Sequence, residues 1–383
     1  MKKVLLVATV QSHICQFHLP LIKMLKENGF EVHIAARDNL AEKNGLKLEN
    51  ADKVYDVKFS RSPFSKNNIT AYKQLKEITM ENKYDIIHCN TPMGGAITRI
   101  IVKKLRKQGT KIIYTAHGFH FYKGGPILSW IIYYPIEKWL SRYTDVLITI
   151  NTEDYEIAKK RFRAKETKLV NGVGINEDKF KNAILNEEEK KELKNKMQIK
   201  KNDFVFMSIG ELNKNKNQIM QIEAMKEICK ENKNVKLFMA GNGPLKDFYE
   251  EKIKEYGLSN NVFLLGYRKD IPQLLQIVDC LISTSIREGL PINVLEAMVM
   301  GLPIIASTNR GHKELIKDGQ NGFLFYTKYN NLLLNKMKKI TSNIDLIEKF
   351  KLNNKEFSKK FLIENIMKRM KKIYNLGEKE KWE

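Results

Sequence analysis

Apolar residues along this chain come in short unbroken runs, separated by longer stretches where they recur at helical spacing. Residues 4–10 (VLLVATV), 32–36, 86–89, 111–115 and 146–150 are runs of the first kind. Such runs, lacking polar alternation, predict strands buried on both faces, as in a parallel sheet. Helical patterns lie between them: residues 19–28 stop at Gly29 and residues 95–108 stop at Gly109, where glycine ends the last turn. The series pauses at residues 177–202, a charged helical stretch with little apolar content that predicts a connector. A second series follows at 204–209, 235–240, 262–265, 280–283 and 303–306. Strand–helix alternation of this kind makes a doubly wound sheet. Two α/β domains are therefore expected, residues 1–177 and 178–350. A basic helical tail, residues 351–383, either ends the chain simply or crosses back onto the first domain. A length of 383 residues is enough for two cores.

Charge changes the picture of partners. Lys and Arg number 67 against 44 Asp and Glu, a formal net charge of +23. That field favours nucleic acid, anionic lipid or phosphorylated substrates, although many of the lysines serve only to solvate the surface. The four cysteines, Cys15, Cys89, Cys229 and Cys280, lie far apart with no C-x-x-C pair. They are expected to be reduced, buried apolar residues of a cytoplasmic protein. The run at residues 4–10 is too short for a signal sequence, and no stretch reaches the ~20 apolar residues of a spanning helix. A soluble or peripheral protein is expected.

In open α/β sheets ligands bind beyond the carboxyl ends of the strands. The segment 280–307, CLISTSIREGLPINVLEAMVMGLPIIAS, has the punctuation of such a site. A strand leads into a tight loop at Arg287–Gly289, Pro291 opens a helix, Gly301 stops it and Pro303 opens the next strand. The amides of Gly289, Leu290, Pro291, Ile292 and Asn293 surround that helix start (proline contributing only its carbonyl), which suits a diphosphate. Gly289 permits close approach of backbone. Carboxylates do not suit phosphate, so Glu288 is expected to hold a sugar hydroxyl and Glu296 a ribose diol. Two glutamates alone would be ordinary solvated carboxylates; the E-G-L-P turn, the E-A-M run and the G-x-P stop lift them above that.

The spacing E-x₇-E, Glu288 to Glu296 within REGLPINVLEAMVMGLPIIAS, resembles the signature of retaining family-4 glycosyltransferases of the GT-B fold. The resemblance extends over nearly the whole chain. It implies two Rossmann-like doubly wound domains facing across a cleft, an acceptor domain first and a nucleotide-sugar domain second. It also implies the same roles for Glu288 and Glu296. In SIGELNKNKN, residues 208–217, the family usually has G-R-L-x-x-x-K. Gly210 and Lys216 match, and Lys216 would neutralise the donor diphosphate. Glu211 stands at the arginine position, so Lys214, Arg287 or Arg310 must compensate. AGNGP, residues 240–244, resembles a structural G-x-G-P turn, and Tyr267 and Arg268 in LLGYRKDI fall in the loop whose backbone cradles the base. TNRGHKE, residues 308–314, places Arg310 by the sugar phosphate, with His312 as either a surface residue or a ligand.

In the first half, YTAHGFHFYKG (residues 114–124) follows a strand. The resemblance implies a histidine there facing the donor sugar; His117 fits best and His120 competes. Residues 9–18 are expected to form a loop without the family's usual glycines, from which His13 or Gln11 could meet the acceptor. NGVGIN, residues 171–176, resembles a hinge turn. No D-x-D stands beside the donor loops and no His/Asp cluster has metal spacing, so neither a metal nor another cofactor is expected. Residues 125–142, GPILSWIIYYPIEKWLSR, form either a helix pair at a membrane interface or, as the default, a pair packed on the sheet.

The combined expectation is a retaining transferase moving a hexose or N-acetylhexosamine from a nucleotide-diphosphate sugar, foremost a UDP-sugar. The acceptor would be a polyprenyl-diphosphate-linked saccharide in capsular or extracellular polysaccharide synthesis, met at an anionic inner-leaflet surface. A nucleotide-sugar epimerase of the same architecture is the rival enzyme. A basic nucleic-acid-binding protein is the rival non-enzyme, but no RNA or DNA motif is present, so nucleic acid is not expected as a partner.

Overall fold

The computed structural model describes residues 1–42 and 46–376, which form two compact units. The first comprises Met1–Gly174 with the returning segment from Ile363, the second Ile175–Leu362.

The first unit holds a seven-stranded parallel sheet: β1 (Lys2–Val10), β2 (Phe30–Arg37), β3 (Lys53–Asp56), β4 (Ile86–Asn90), β5 (Lys111–Ala116), β6 (Val146–Thr149) and β7 (Glu166–Leu169). Their order is β3-β2-β1-β4-β5-β6-β7, so the winding reverses between β1 and β4. The period of two in β1 sends Val4, Leu6 and Ala8 into one core and Leu5 and Val7 into the other. Both faces of the sheet are thereby covered, as a continuous apolar run requires. Each fully buried Val or Leu among them contributes about 1.5–3 kcal/mol of transfer free energy.

The second unit repeats the plan with β8 (Phe204–Ile209), β9 (Val235–Ala240), β10 (Val262–Gly266), β11 (Cys280–Ser283), β12 (Ile304–Ser307) and β13 (Phe323–Phe325). The order β10-β9-β8-β11-β12-β13 reverses between β8 and β11. Phe206, Leu237, Ile282 and Ile305 from four strands meet helix residues Met225, Ile228 and Phe350 in its core.

Several expectations are corrected. The edge strands β3 and β7 have no fully buried residue, and β13, although apolar, is only three residues long, so none of them stands out in the sequence. Residues 9–18 are not a loop: β1 runs to Val10 and passes directly into the helix Gln11–Phe17. Ile14 and Cys15 of that helix are buried, and the backbone of Ser12 is fixed by Asn39 at 3.1 Å. The helix expected over 95–108 is two, Pro92–Ile101 and Lys103–Lys107.

The chain divides at Gly174 rather than at residue 177. The helices Asp178–Lys181 and Glu187–Lys196, expected as a connector, belong to the second unit. Residues 351–362 also belong to the second unit; the chain rejoins the first only from Ile363. There the helix Ile363–Ile373 presents Ile366, Met370 and Ile373 at i, i+4 and i+7 to the core of the first sheet. Gly174 has φ +85°, and a Cβ on it would lie 2.7 Å from the Cα of Ile363, so only glycine fits where the chain re-enters.

Residues 125–142 contain one long helix, Ile127–Leu140, not a pair. Trp130 and Tyr134 pack on the sheet, but Ile127, Leu128, Ile131, Ile132, Ile136 and Trp139 are exposed. The default of core packing therefore fails for the outer face of this helix.

Candidate functional site

In the second sheet the strand ends at the reversal carry most of the residues singled out from sequence. The loop after β8 contains Gly210 and Lys216, and the loop after β11 runs through Glu288 and Gly289 to the helix Ile292–Val299. Thr284 joins them by donating to the carbonyls of Lys216 (2.8 Å) and Asn217 (2.9 Å). The Ile286 amide donates to the Asn215 carbonyl at 2.8 Å, and Asn215 Nδ2 to the Arg287 carbonyl at 3.1 Å. Within this frame Lys216 Nζ donates to Glu288 Oε1 at 2.7 Å, both side chains being only partly exposed.

The helix start beside this pair has no side-chain cap, so its first-turn amides are not served by a capping residue. Asn293, expected among the donor contacts through its backbone amide, donates its side-chain Nδ2 to the Ile209 carbonyl at 2.8 Å and ties the helix to β8. Leu290 and Pro291 are buried and shape the loop. Arg310, on the helix Arg310–Leu315 after β12, is buried and its Nε lies 3.4 Å from the Glu288 carbonyl. Gly311 makes that approach feasible, because a Cβ there would meet Glu288 Cβ at 2.8 Å.

Glu296 lies one turn into the helix and pairs with Lys179 at 3.3 Å. Burial raises its carboxyl above the ordinary range, opposed by that lysine. The pairing spans 117 residues, which is why sequence reasoning overlooked Lys179. Glu211, at the position of the missing arginine, is exposed and accepts from Asn213 Nδ2 at 2.9 Å. Of the candidates to compensate, Lys214 and Arg287 are exposed, whereas Arg310 sits against Glu288.

Glycines lace the neighbouring strand ends. The Gly210 amide donates to the Ala240 carbonyl at 2.9 Å and the Gly241 amide to the Gly266 carbonyl at 2.8 Å. Gly241 has φ +149°, and a Cβ there would lie 1.9 Å from the Gly210 oxygen. Tyr267 and Arg268 follow on the far strand β10: the Tyr267 ring is exposed, and Arg268 donates to Asp270 at 2.8 Å. Neither side chain reaches the Lys216–Glu288 pair through any described contact.

His312 is not on the surface. It is fully buried, with Nε2 3.0 Å from the Ser283 hydroxyl and Nδ1 2.7 Å from the Ser307 carbonyl. Burial lowers its pKa to about 4.

In the first sheet the reversal opens onto a cavity of about 460 Å³. Thr9, His13 and Phe17 line it from β1 and the following helix, Thr91 and Met93 from the start of the helix Pro92–Ile101 after β4, and Phe119 and His120 from the loop after β5. Thr9 and Thr91 bridge the reversal through hydroxyls 2.7 Å apart. The helix Ile127–Leu140 contributes Tyr133, Ile136 and Glu137. That helix is anchored by Glu137, which accepts from fully buried Arg99 at 2.9 Å; the guanidinium stacks 3.7 Å above the Tyr114 ring. Gly95 is needed there because a Cβ would lie 2.4 Å from that ring.

His120 stacks on Tyr133 at 4.7 Å, while His13 and His117 point their Nε2 atoms at one another 3.3 Å apart. His18 joins them, its Nε2 3.4 Å from that of His13. Burial lowers the pKa of His117 to about 4 and those of His13 and His18 well below their ordinary value. The spacing rule missed this cluster, because its members come from two distant segments of chain.

Comparison with known proteins agrees with this architecture. Residues 189–357 match the family described as glycosyl transferases group 1, and residues 3–151 match glycosyl transferase 4-like proteins. The chain is 39% identical to the putative glycosyltransferase EpsD of Bacillus subtilis (strain 168), over 98% of this chain and 96% of that one. It is 32% identical to the UDP-Gal:alpha-D-GlcNAc-diphosphoundecaprenol alpha-1,3-galactosyltransferase of Escherichia coli, over 81% and 78% of the two chains. The fold matches the crystal structure of Anabaena HepE in complex with UDP, with a TM-score of 0.77, 20% identity, and coverage of 98% of this chain and 100% of that one. Two parallel Rossmann-like sheets of the GT-B type and near-full-length kinship at 39% identity lead to one conclusion: the chain belongs to the group 1, family-4-like glycosyltransferases.

Proposed function

We propose that this glycosyltransferase takes a hexose or N-acetylhexosamine from a UDP-sugar and passes it, with retention, to a saccharide carried on a polyprenyl diphosphate in capsular or extracellular polysaccharide synthesis. The observation that carries the donor half is the Lys216–Glu288 pair at the start of the helix Ile292–Val299. The donor diphosphate inserts beside it. Lys216 leaves Glu288 for the β-phosphate, the helix amides and Arg310 share the remaining charge, and Glu288 turns to a sugar hydroxyl. Glu296 takes the ribose diol, with Lys179 holding its carboxylate in place. The diphosphate is neutralised by Lys and Arg, without a metal.

As the glycosidic bond breaks, negative charge grows on the leaving β-phosphate. Fixed dipoles and cations stabilise it without reorganising, which is the main source of rate in such sites. The acceptor hydroxyl enters on the face the phosphate leaves, and His117 offers it or the sugar a hydrogen bond.

The acceptor half rests on the first unit. The cavity is largely apolar where Phe17, Met93 and Ile136 line it, and it adjoins a helix with seven exposed large hydrophobic side chains. Lys103, Lys104 and Lys107 lie on the preceding helix. Among the described residues no helix is long and apolar enough to cross a membrane. An apolar helix face flanked by cations suits peripheral attachment to an anionic inner leaflet. The name of the Escherichia coli relative, with its diphosphoundecaprenol acceptor and UDP-Gal donor, supports the same reading.

The test is transfer from radiolabelled UDP-sugars to membrane lipid extract. Lys216→Ala and Glu288→Ala are each expected to lower the rate by about 10²–10³-fold, the loss typical of one charge-stabilising group. Unchanged rates in both variants would refute the donor assignment.

A further inference from the structure

We propose that His13, His18 and His117 form a binding site in the first unit for one divalent transition-metal ion of the zinc class. Each of the three side chains offers one ring nitrogen, and these nitrogens all lie within 4.8 Å of one another. Two of the separations are 3.3 Å and 3.4 Å. A tetrahedral ion with metal–nitrogen bonds of about 2.0–2.1 Å has edges of ~3.3–3.4 Å between ligand atoms. The third separation is within 4.8 Å.

Hydrogen bonding serves this arrangement poorly. An imidazole nitrogen carries either one proton or one in-plane lone pair. His13 Nε2 faces two other Nε2 atoms at 3.3 and 3.4 Å, so its single proton or lone pair must be shared between two long contacts. His117 Nε2 also lies 3.4 Å from Asn90 Oδ1. A cation that accepts all three lone pairs replaces these long contacts with short bonds.

The ligands are carried on fixed backbone rather than on a mobile loop. His13 sits in a helix whose Ser12 is bonded to Asn39, and His18 stands at a helix break with its amide bonded to the Ile14 carbonyl at 2.8 Å. His117 follows β5 directly. The donor set is all imidazole, which selects zinc, cobalt, nickel or copper over magnesium or calcium.

Three protein ligands leave a fourth position. Of the three, His13 lines the 460 Å³ cavity, and a fourth position on that side would take water or an acceptor oxygen. Only this last use depends on the acceptor reading above; binding of the ion does not.

The experiment is zinc binding to untagged, chelator-stripped protein, followed by calorimetry and by elemental analysis after gel filtration. One zinc per chain with micromolar or tighter affinity is expected, together with a higher melting temperature and no response to magnesium. His13→Ala, whose side chain is partly exposed, should fold and lose at least tenfold in affinity, and His117→Ala should do the same. Cobalt should give the intense visible absorption of a tetrahedral site in the wild type and not in His13→Ala. The proposal is overturned if stripped protein takes up no zinc at micromolar concentration. It is equally overturned if both variants melt as the wild type does and bind zinc as tightly. A failure here leaves the UDP-sugar transfer assay untouched, so the two readings are tested separately.

Discussion

The two units share one winding plan, yet their strand ends at the reversal are built from different materials. After β8 the chain turns through Gly210, and backbone bonds from Gly210 to Ala240 and from Gly241 to Gly266 bind the neighbouring strand ends together. After β1 there is no glycine; the strand passes straight into a helix, and His13, His18 and Phe17 fill the space. The second unit therefore offers amides, a lysine and a carboxylate, which suit a diphosphate and sugar hydroxyls. The first offers rings and an apolar cavity. Topology places a site at each reversal, and the residues directly after the first strand decide its chemistry.

The sharpest way to break this contrast is to add one methyl group at Gly241. Gly241→Ala forces a Cβ against the Gly210 oxygen at a backbone angle few side chains adopt. It is expected to cost the second unit about 2–5 kcal/mol in urea unfolding. A cost under ~0.5 kcal/mol would show that the glycine lacing is dispensable.

A second contrast concerns a histidine in the amide-built unit. Burial holds His312 at a pKa of about 4 in the folded state, against an ordinary value of 6.5. The unfolded chain thus binds more protons between those values, and the stabilisation is full above pH 6.5 and lost as pH falls toward 4. The loss should approach ~3 kcal/mol, and His312→Gln should flatten the slope of stability against pH over that window. An identical slope in the variant would assign the effect elsewhere.

The smallest expected effect lies on the outer surface of the first unit. Ile131, 64% exposed, is proposed to enter the lipid interface, whereas Leu295 on the second unit's site helix is buried in protein. Ile131→Ser should lower partitioning onto anionic vesicles about tenfold, in line with one apolar side chain. It should leave the melting temperature unchanged. A fall in stability without a change in partitioning would return this helix to a purely structural role.

What the sequence disclosed follows from the same physics. Central strands such as β1, β5 and β9 are buried on both faces, so their apolar runs are unbroken and legible. At the edges, β7 (ETKL) and β3 (KVYD) bury too little to leave a pattern. The donor loop was legible because Gly289, Pro291, Gly301 and Pro303 punctuate it locally. Lys179 beside Glu296, Gly311 against Glu288, and the meeting of His18 with His13 and His117 depend on tertiary packing or on distant chain segments, and linear spacing does not reveal them. The exposed face of the helix Ile127–Leu140 was undecidable because a buried helix and an interfacial one can share the same composition.

The most direct measurement is a crystal structure of the protein soaked with UDP. The β-phosphate oxygens are expected within hydrogen-bond reach of the amides that open the helix Ile292–Val299 and of Lys216 Nζ, with the Lys216–Glu288 contact opened. A diphosphate bound away from that helix, or the 2.7 Å ion pair intact beside a bound nucleotide, would contradict this placement.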